Sequence, residues 1–108
     1  YMSDPNSRYS PLTIEDPNKA LEKYKVWEII TEDSQLKCFA KFSFQNFSFA
    51  FAFLSQIAMI SEELNHHAEL WNLYNTVTIK IYTHETKSIS KIDLVFIEKV
   101  SEVYSSYK

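Results

Sequence analysis

The chain has 108 residues, 45% of them hydrophobic and 16% aromatic, and carries a net charge of −3. One domain fits that length, the aromatics suffice for a buried core so a disordered chain is excluded, and the acidic balance excludes electrostatically driven nucleic-acid binding. The absence of glycine removes phosphate-cradling loops and dinucleotide fingerprints, and a lone cysteine, Cys38, removes an internal disulfide and a cysteine-built zinc site.

Tyr1 to Pro11 is polar and lacks the apolar segment of a signal peptide. Residues 1–12 therefore read as a flexible N-terminal segment, partly vector-derived, and residues 13–108 as a single domain. A free thiol without an export signal points to a reducing cytoplasmic setting, with the nucleus as the alternative. Asp16-Pro17 opens a short helix expected over 17–25. Residues 26–31 and 35–44 then form a hairpin around Glu32-Asp33-Ser34, with Leu36, Cys38, Ala40 and Phe42 on one apolar face. From about Gln45 the period changes. Phe47, Ala50, Phe51, Leu54, Ala58 and Ser61 recur at helical steps, predicting a long helix that ends near His66 and His67. Its apolar run, 47–60, is interrupted by Ser48, Ser55 and Gln56 and reads as too short for a membrane span. Residues 76–83 alternate as a strand with Val77, Ile79 and Ile81 toward the core, and an earlier strand starts near Trp71. Ser90-Lys91-Ile92-Asp93 resembles a capping box opening a last helix, whose core stripe is Ile92, Val95, Phe96, Lys99, Val100 and Val103. The class is α+β, an antiparallel sheet with helices covering one face.

All three histidines, His66, His67 and His84, fall in one third of the chain. An imidazole titrates near ~6.5, so it gives and takes protons at neutral pH. Glu62, four residues before His66, would share its helix face and fix its tautomer. A helix end, a strand end and a helix start bearing Asp93 can converge on one cleft. Bland readings stand beside this one. A histidine pair at a helix end is most simply a solvated cap favoured by the helix dipole, and Asp93 is most simply the capping carboxylate. Phe39, Phe42, Phe44, Phe47, Phe51 and Phe53 read as core and oligomer contacts, and Cys38 as an inert buried thiol. Glu62, His66 and His84 have the chemistry of metal ligands. Adjacent histidines on a helix diverge by about 100°, however, so no metal is expected, and proton transfer by imidazoles needs no cofactor.

Glu62-Glu63-Leu64-Asn65-His66-His67, then Tyr74-Asn75, Thr83-His84-Glu85, Ser90 and Asp93, resembles the pterin-4a-carbinolamine dehydratase family in register. Trp27, Leu36, Phe39, Lys41, Phe42, Phe44, Phe47, Ala50, Phe51 and Ala58 extend the likeness upstream, so that it covers about 21–103. It implies four antiparallel strands with helices on one face, in the order α-β-β-α-β-β-α, and a homodimer or homotetramer. It also implies loss of water from a 4a-hydroxytetrahydropterin to give quinonoid dihydropterin, in tetrahydrobiopterin recycling, without metal or cofactor. His66, His67 and His84, supported by Glu62 and Asp93, would be catalytic; Asn65, Tyr82, Thr83 and Glu85 would line the substrate site with the histidines. The chain departs from the family pattern at Ala68 and Leu70, where proline and tryptophan are usual, and at Thr86-Lys87-Ser88, where a glycine is usual. The alternative reading is a protein-binding module that stabilises a transcription factor dimer through the oligomerisation helix, the face from Phe47 to Ser61. A metal-dependent hydrolase using Glu62, His66 and His84 is the third.

Overall fold

The structure is a computed structural model that describes residues 16–107. The segment expected to be loose, 1–12, lies outside the described residues. Asp16 caps a single helical turn, α1 (Pro17–Ala20), by accepting the Asn18 N–H at 3.0 Å. The helix expected to run to Lys25 stops here, since nothing from α1 itself is buried to hold further turns. Strands β1 (Trp27–Glu32) and β2 (Gln35–Ser43) follow as an antiparallel hairpin. Asp33 and Ser34 connect them with φ of 51° and 64°, the pair of left-handed residues that lets a two-residue turn match the twist of its strands.

Helix α2 (Phe47–Leu64) starts where Asn46 accepts the Phe49 N–H at 2.9 Å. Strands β3 (Glu69–Leu73) and β4 (Thr76–Ile81) form a second hairpin, and α3 (Lys91–Ser105) closes the fold. The sheet is antiparallel throughout, in the order β1-β2-β4-β3. Alternation was a reliable guide to its inner face: Cys38, Ala40, Phe42, Val77, Ile79 and Ile81 are all buried. They join Ala50, Phe53, Ile57, Phe96, Ile97 and Val100 in one core under both helices. Each large side chain there is worth roughly 1.5–3 kcal/mol of burial. Phe42, Phe44, Phe53 and Tyr104 pack with ring centroids 4.7–5.7 Å apart.

The helix phases differ from expectation. In α2 the buried positions are Ala50, Phe53, Ile57, Ile60 and Ser61, while Phe47, Phe51 and Ala58 are exposed. Phenylalanine occupies every second position from Phe47 to Phe53, so this stretch looks apolar from any side; Ile57 and Ile60 set the phase. In α3 Ile97 is buried and Val95 is exposed. By length and composition α2 is also long and apolar enough to cross a membrane, against the reading of the run as too short, yet its inner face is spent on the sheet.

Candidate functional site

One end of the sheet gathers the C-terminus of α2, the start of β3, the end of β4, the N-terminus of α3 and the β1–β2 turn. This follows from the register: β3 begins opposite Lys80 and β4 ends opposite Cys38. His66, His67, His84 and Asp93 all lie at this end.

The helix does not carry the histidines. Asn65 takes a left-handed conformation (φ 50°, ψ 45°), and the His66 N–H reaches back to the Ser61 carbonyl at 3.0 Å. That reversal breaks the four-residue stacking expected between Glu62 and His66. His66 turns inward instead, and its Nε2 donates to Asp93 Oδ1 at 2.6 Å, with 8% of His66 and none of Asp93 exposed. Glu62 pairs with His67: Nε2 to Oε2 is 2.6 Å, between side chains 58% and 78% exposed. The expectation that Glu62 orients His66 is thus corrected, as is the picture of both histidines as a solvated cap.

Asp93 is the hub. Its Oδ2 accepts the Ser90 N–H and the Thr83 hydroxyl, each at 2.8 Å, while Oδ1 faces His66. The capping box forms, so the capping carboxylate and the histidine's partner are one group. Thr83 and Ser90 hydroxyls sit 2.6 Å apart, both fully buried. Thr83, expected to line the site, is instead sealed from the surface, and its hydroxyl meets His66 only by way of Asp93. Its bridge to Ser88 braces the loop.

The strand expected to reach Thr83 stops at Ile81, and His84 opens a 3₁₀ turn, His84–Thr86, with its exposed ring unbonded among the described residues. Lys87 ends that turn in the left-handed region, φ 57°, where the family pattern has glycine nearby. Glu85 and Asn65 are exposed. Tyr82 points to the sheet's open face, where its hydroxyl donates to Glu69. Lys37 bonds Glu32 at 3.0 Å and Glu69 at 3.2 Å, Lys80 bonds Glu32 at 2.7 Å, and Lys37 lies over the Tyr82 ring. Sequence reading missed this network, because its members come together only through three strand registers. Hydrogen bonds from Lys80 and Lys37 hold the Glu32 carboxyl below its ordinary range, and one from Tyr82 does the same for Glu69. The Glu32 hydrogen bond pushes Lys37 up. Burial, followed by the Asp93 charge, pushes the Cys38 thiol far up, which leaves it unreactive. Among the described residues, no three His, Cys, Asp or Glu side chains are placed to hold a metal ion.

Comparison with known proteins gives this geometry a context. The family model described as pterin 4 alpha carbinolamine dehydratase matches residues 10–103. A Prochlorococcus marinus (strain MIT 9303) protein described as "Putative pterin-4-alpha-carbinolamine dehydratase" is 36% identical over 90 residues, covering 83% of this chain and 90% of its own. One of the same description from Mesorhizobium japonicum is 31% identical over 85 residues, 79% of this chain and 85% of its own. The crystal structure of a transcriptional coactivator/pterin dehydratase from Brucella melitensis superposes with a TM-score of 0.76 at 31% identity, over 87% of this chain and 98% of that one.

Proposed function

Since the chain belongs to the pterin-4-alpha-carbinolamine dehydratase family, we propose that it removes water from a 4a-hydroxytetrahydropterin by histidine acid–base catalysis and so serves tetrahydrobiopterin recycling. The observation that supports this most is the division of labour at one end of the sheet. Two imidazoles are each anchored to a carboxylate, while a third has its ring uncommitted among the described residues. One of the anchored pair, as imidazolium, gives its proton to the 4a-hydroxyl while the C4a–O bond breaks and water departs. His84, neutral, takes the proton from the adjacent ring nitrogen, and the electrons of that N–H bond complete the new carbon–nitrogen double bond. Proton exchange with water resets both imidazoles. General acid–base catalysis of this kind contributes roughly 10²–10⁴-fold. No residue in the scheme needs a metal or a cofactor, and a cytoplasmic or nuclear location suits it.

The test is the dehydration rate of freshly generated 4a-hydroxytetrahydropterin, followed by ultraviolet absorbance with chelator present. Wild type should exceed the spontaneous rate, and His67→Ala and His84→Ala should each lose about 10²-fold or more. A wild-type rate equal to the spontaneous one overturns the reading.

A second reading has its own observation. Phe47, Phe49, Phe51 and Met59 are exposed on α2, an apolar surface of the kind that marks protein contacts. A homodimer or homotetramer assembled on this face, or a transcription factor docked there, is the proposed partner. Sedimentation of wild type against Phe51→Glu separates assembly from monomer.

A further inference from the structure

His66 and His84 stand on separate pieces of chain. His66 follows the C-terminus of α2, and His84 opens the turn after β4. Acid–base chemistry on one ligand needs both rings at a fixed separation, so the two pieces have to be tied together. Thr83 meets both with different parts of itself. Its hydroxyl donates to Asp93 Oδ2 at 2.8 Å, and Asp93 Oδ1 takes the His66 Nε2 proton at 2.6 Å. Its carbonyl accepts the Thr86 N–H at 3.3 Å and the Thr86 hydroxyl at 3.2 Å, which closes the 3₁₀ turn that displays His84. The pairing of Thr83 with Ser88 holds the far side of that turn.

The direction of each proton follows from the donors and acceptors present. An ionised carboxylate oxygen only accepts, so the single Thr83 hydroxyl proton goes to Asp93. Thr83 Oγ1 is then the acceptor toward Ser90 Oγ, 2.6 Å away, and the Ser90 hydroxyl is the donor. Its own route to Oδ2 is 3.5 Å, too long to compete. Oδ2 also takes the Ser90 N–H at 2.8 Å. Two donors on Oδ2 set the rotation of the carboxylate and leave Oδ1 for the imidazole, which fixes the His66 proton on Nε2. The two donors differ in reach. The Ser90 N–H is local to the α3 cap and forms wherever such a cap does. The Thr83 hydroxyl comes from ten residues away, beyond the end of β4, and is bonded to the chain that continues into His84. Ser90 gives Asp93 a cap; Thr83 gives it a place relative to His84.

We infer that Thr83 is a positioning residue of the proposed reaction, which sets His66 and His84 at their working separation through the Asp93 carboxylate and the His84 turn. This rests on the dehydratase reading for the roles of the two rings. Thr83 has no exposed surface, so it acts without touching the ligand.

Two substitutions separate the hydroxyl from the shape. Thr83→Val keeps the branched shape and loses the hydroxyl, whereas Thr83→Ser keeps the hydroxyl and leaves a methyl-sized gap. In dehydration of 4a-hydroxytetrahydropterin, kcat should fall about 10- to 100-fold in Thr83→Val, the worth of one hydrogen bond to a charged group, with KM within about 2-fold. Thr83→Ser should stay within about 3-fold of wild type, although it is the less well packed variant. Ser90→Ala removes an equally buried hydroxyl but spares the Thr83–Asp93 bond, so it should cost kcat less than about 3-fold. In proton–nitrogen NMR spectra the His66 Nε2–H signal should keep its place in Thr83→Ser and move in Thr83→Val. A residue that only fills space gives the reverse order, Thr83→Val near wild type and Thr83→Ser impaired, and that result overturns the inference. So does a Ser90→Ala loss as large as that of Thr83→Val, or a His66 signal unmoved in Thr83→Val. If wild type shows no turnover at all, the proposed function falls, and the His66 signal still decides whether Thr83 sets that ring.

Discussion

His66 and His67 are neighbours in sequence, each bonded to a carboxylate at 2.6 Å, yet one pair is sealed inside the protein and the other stands in water. The same distance does not have the same meaning. A buried carboxylate with its charge unmatched is strongly destabilising, whereas an exposed pair is worth about 1 kcal/mol or less. The inner pair belongs to the architecture, since Asp93 also caps α3 and takes the Thr83 hydroxyl. The outer pair is a local restraint on an exposed ring. One imidazole is therefore placed by the fold and the other by its partner alone.

The largest effect should come from breaking the inner pair. Asp93→Asn turns one acceptor oxygen into a donor, facing either His66 or the Ser90 and Thr83 donors. Urea unfolding should show a loss of about 1–3 kcal/mol for the unmatched group, and kcat should fall about 10²-fold or more. Wild-type stability and rate in that variant would erase the distinction between the two pairs. An intermediate effect is expected from the half-buried network on the open face of the sheet. The carboxyls of Glu32 and Glu69 are held below their ordinary range in the folded protein. Their stabilisation is therefore complete above the unfolded-state value and drains away as pH falls through the depressed folded value. Glu32→Gln should flatten the loss of stability in urea titrations below about pH 4. An acid limb identical to wild type would remove the network from the stability of the sheet. The smallest effect belongs to the outer pair. Glu62→Gln should change stability by less than about 1 kcal/mol, with the difference shrinking further in 1 M salt. A larger, salt-independent loss would show that Glu62 is tied into the fold.

The sheet was legible because alternation at Leu36–Phe42 and Val77–Ile81 has one interpretation, a buried face and a wet one. The α3 cap was legible because Ser90 and Asp93 carry a local hydrogen-bonding pattern. The histidines stood out by chemistry and spacing. Glu62 and Asp93 stood out as their supports, but which carboxylate meets which ring did not, because a single left-handed residue, Asn65, decides whether position 66 continues the helix or leaves it. The burial of Thr83 and the Lys37 network depend on how separate strands register, which no local window contains. The outward faces of Phe47 and Phe51 were obscured by a run of alternate phenylalanines that suits any helix phase.

Five described residues, Asp33, Ser34, Asn65, Tyr74 and Lys87, hold positive φ in a chain without glycine. Such a backbone costs up to about 1–2 kcal/mol per residue, less for Asp33 and Asn65 than for Ser34, Tyr74 and Lys87. The same lack of glycine narrows the range of the unfolded chain, so less conformational freedom is lost when it folds. The two effects oppose each other, but they are distributed differently. The entropy saving is spread along the sequence, whereas four of the five strained residues crowd the end of the sheet that bears the histidines. Tyr74 alone sits at the other end, between β3 and β4. The protein thus keeps its most constrained backbone where its most reactive side chains stand.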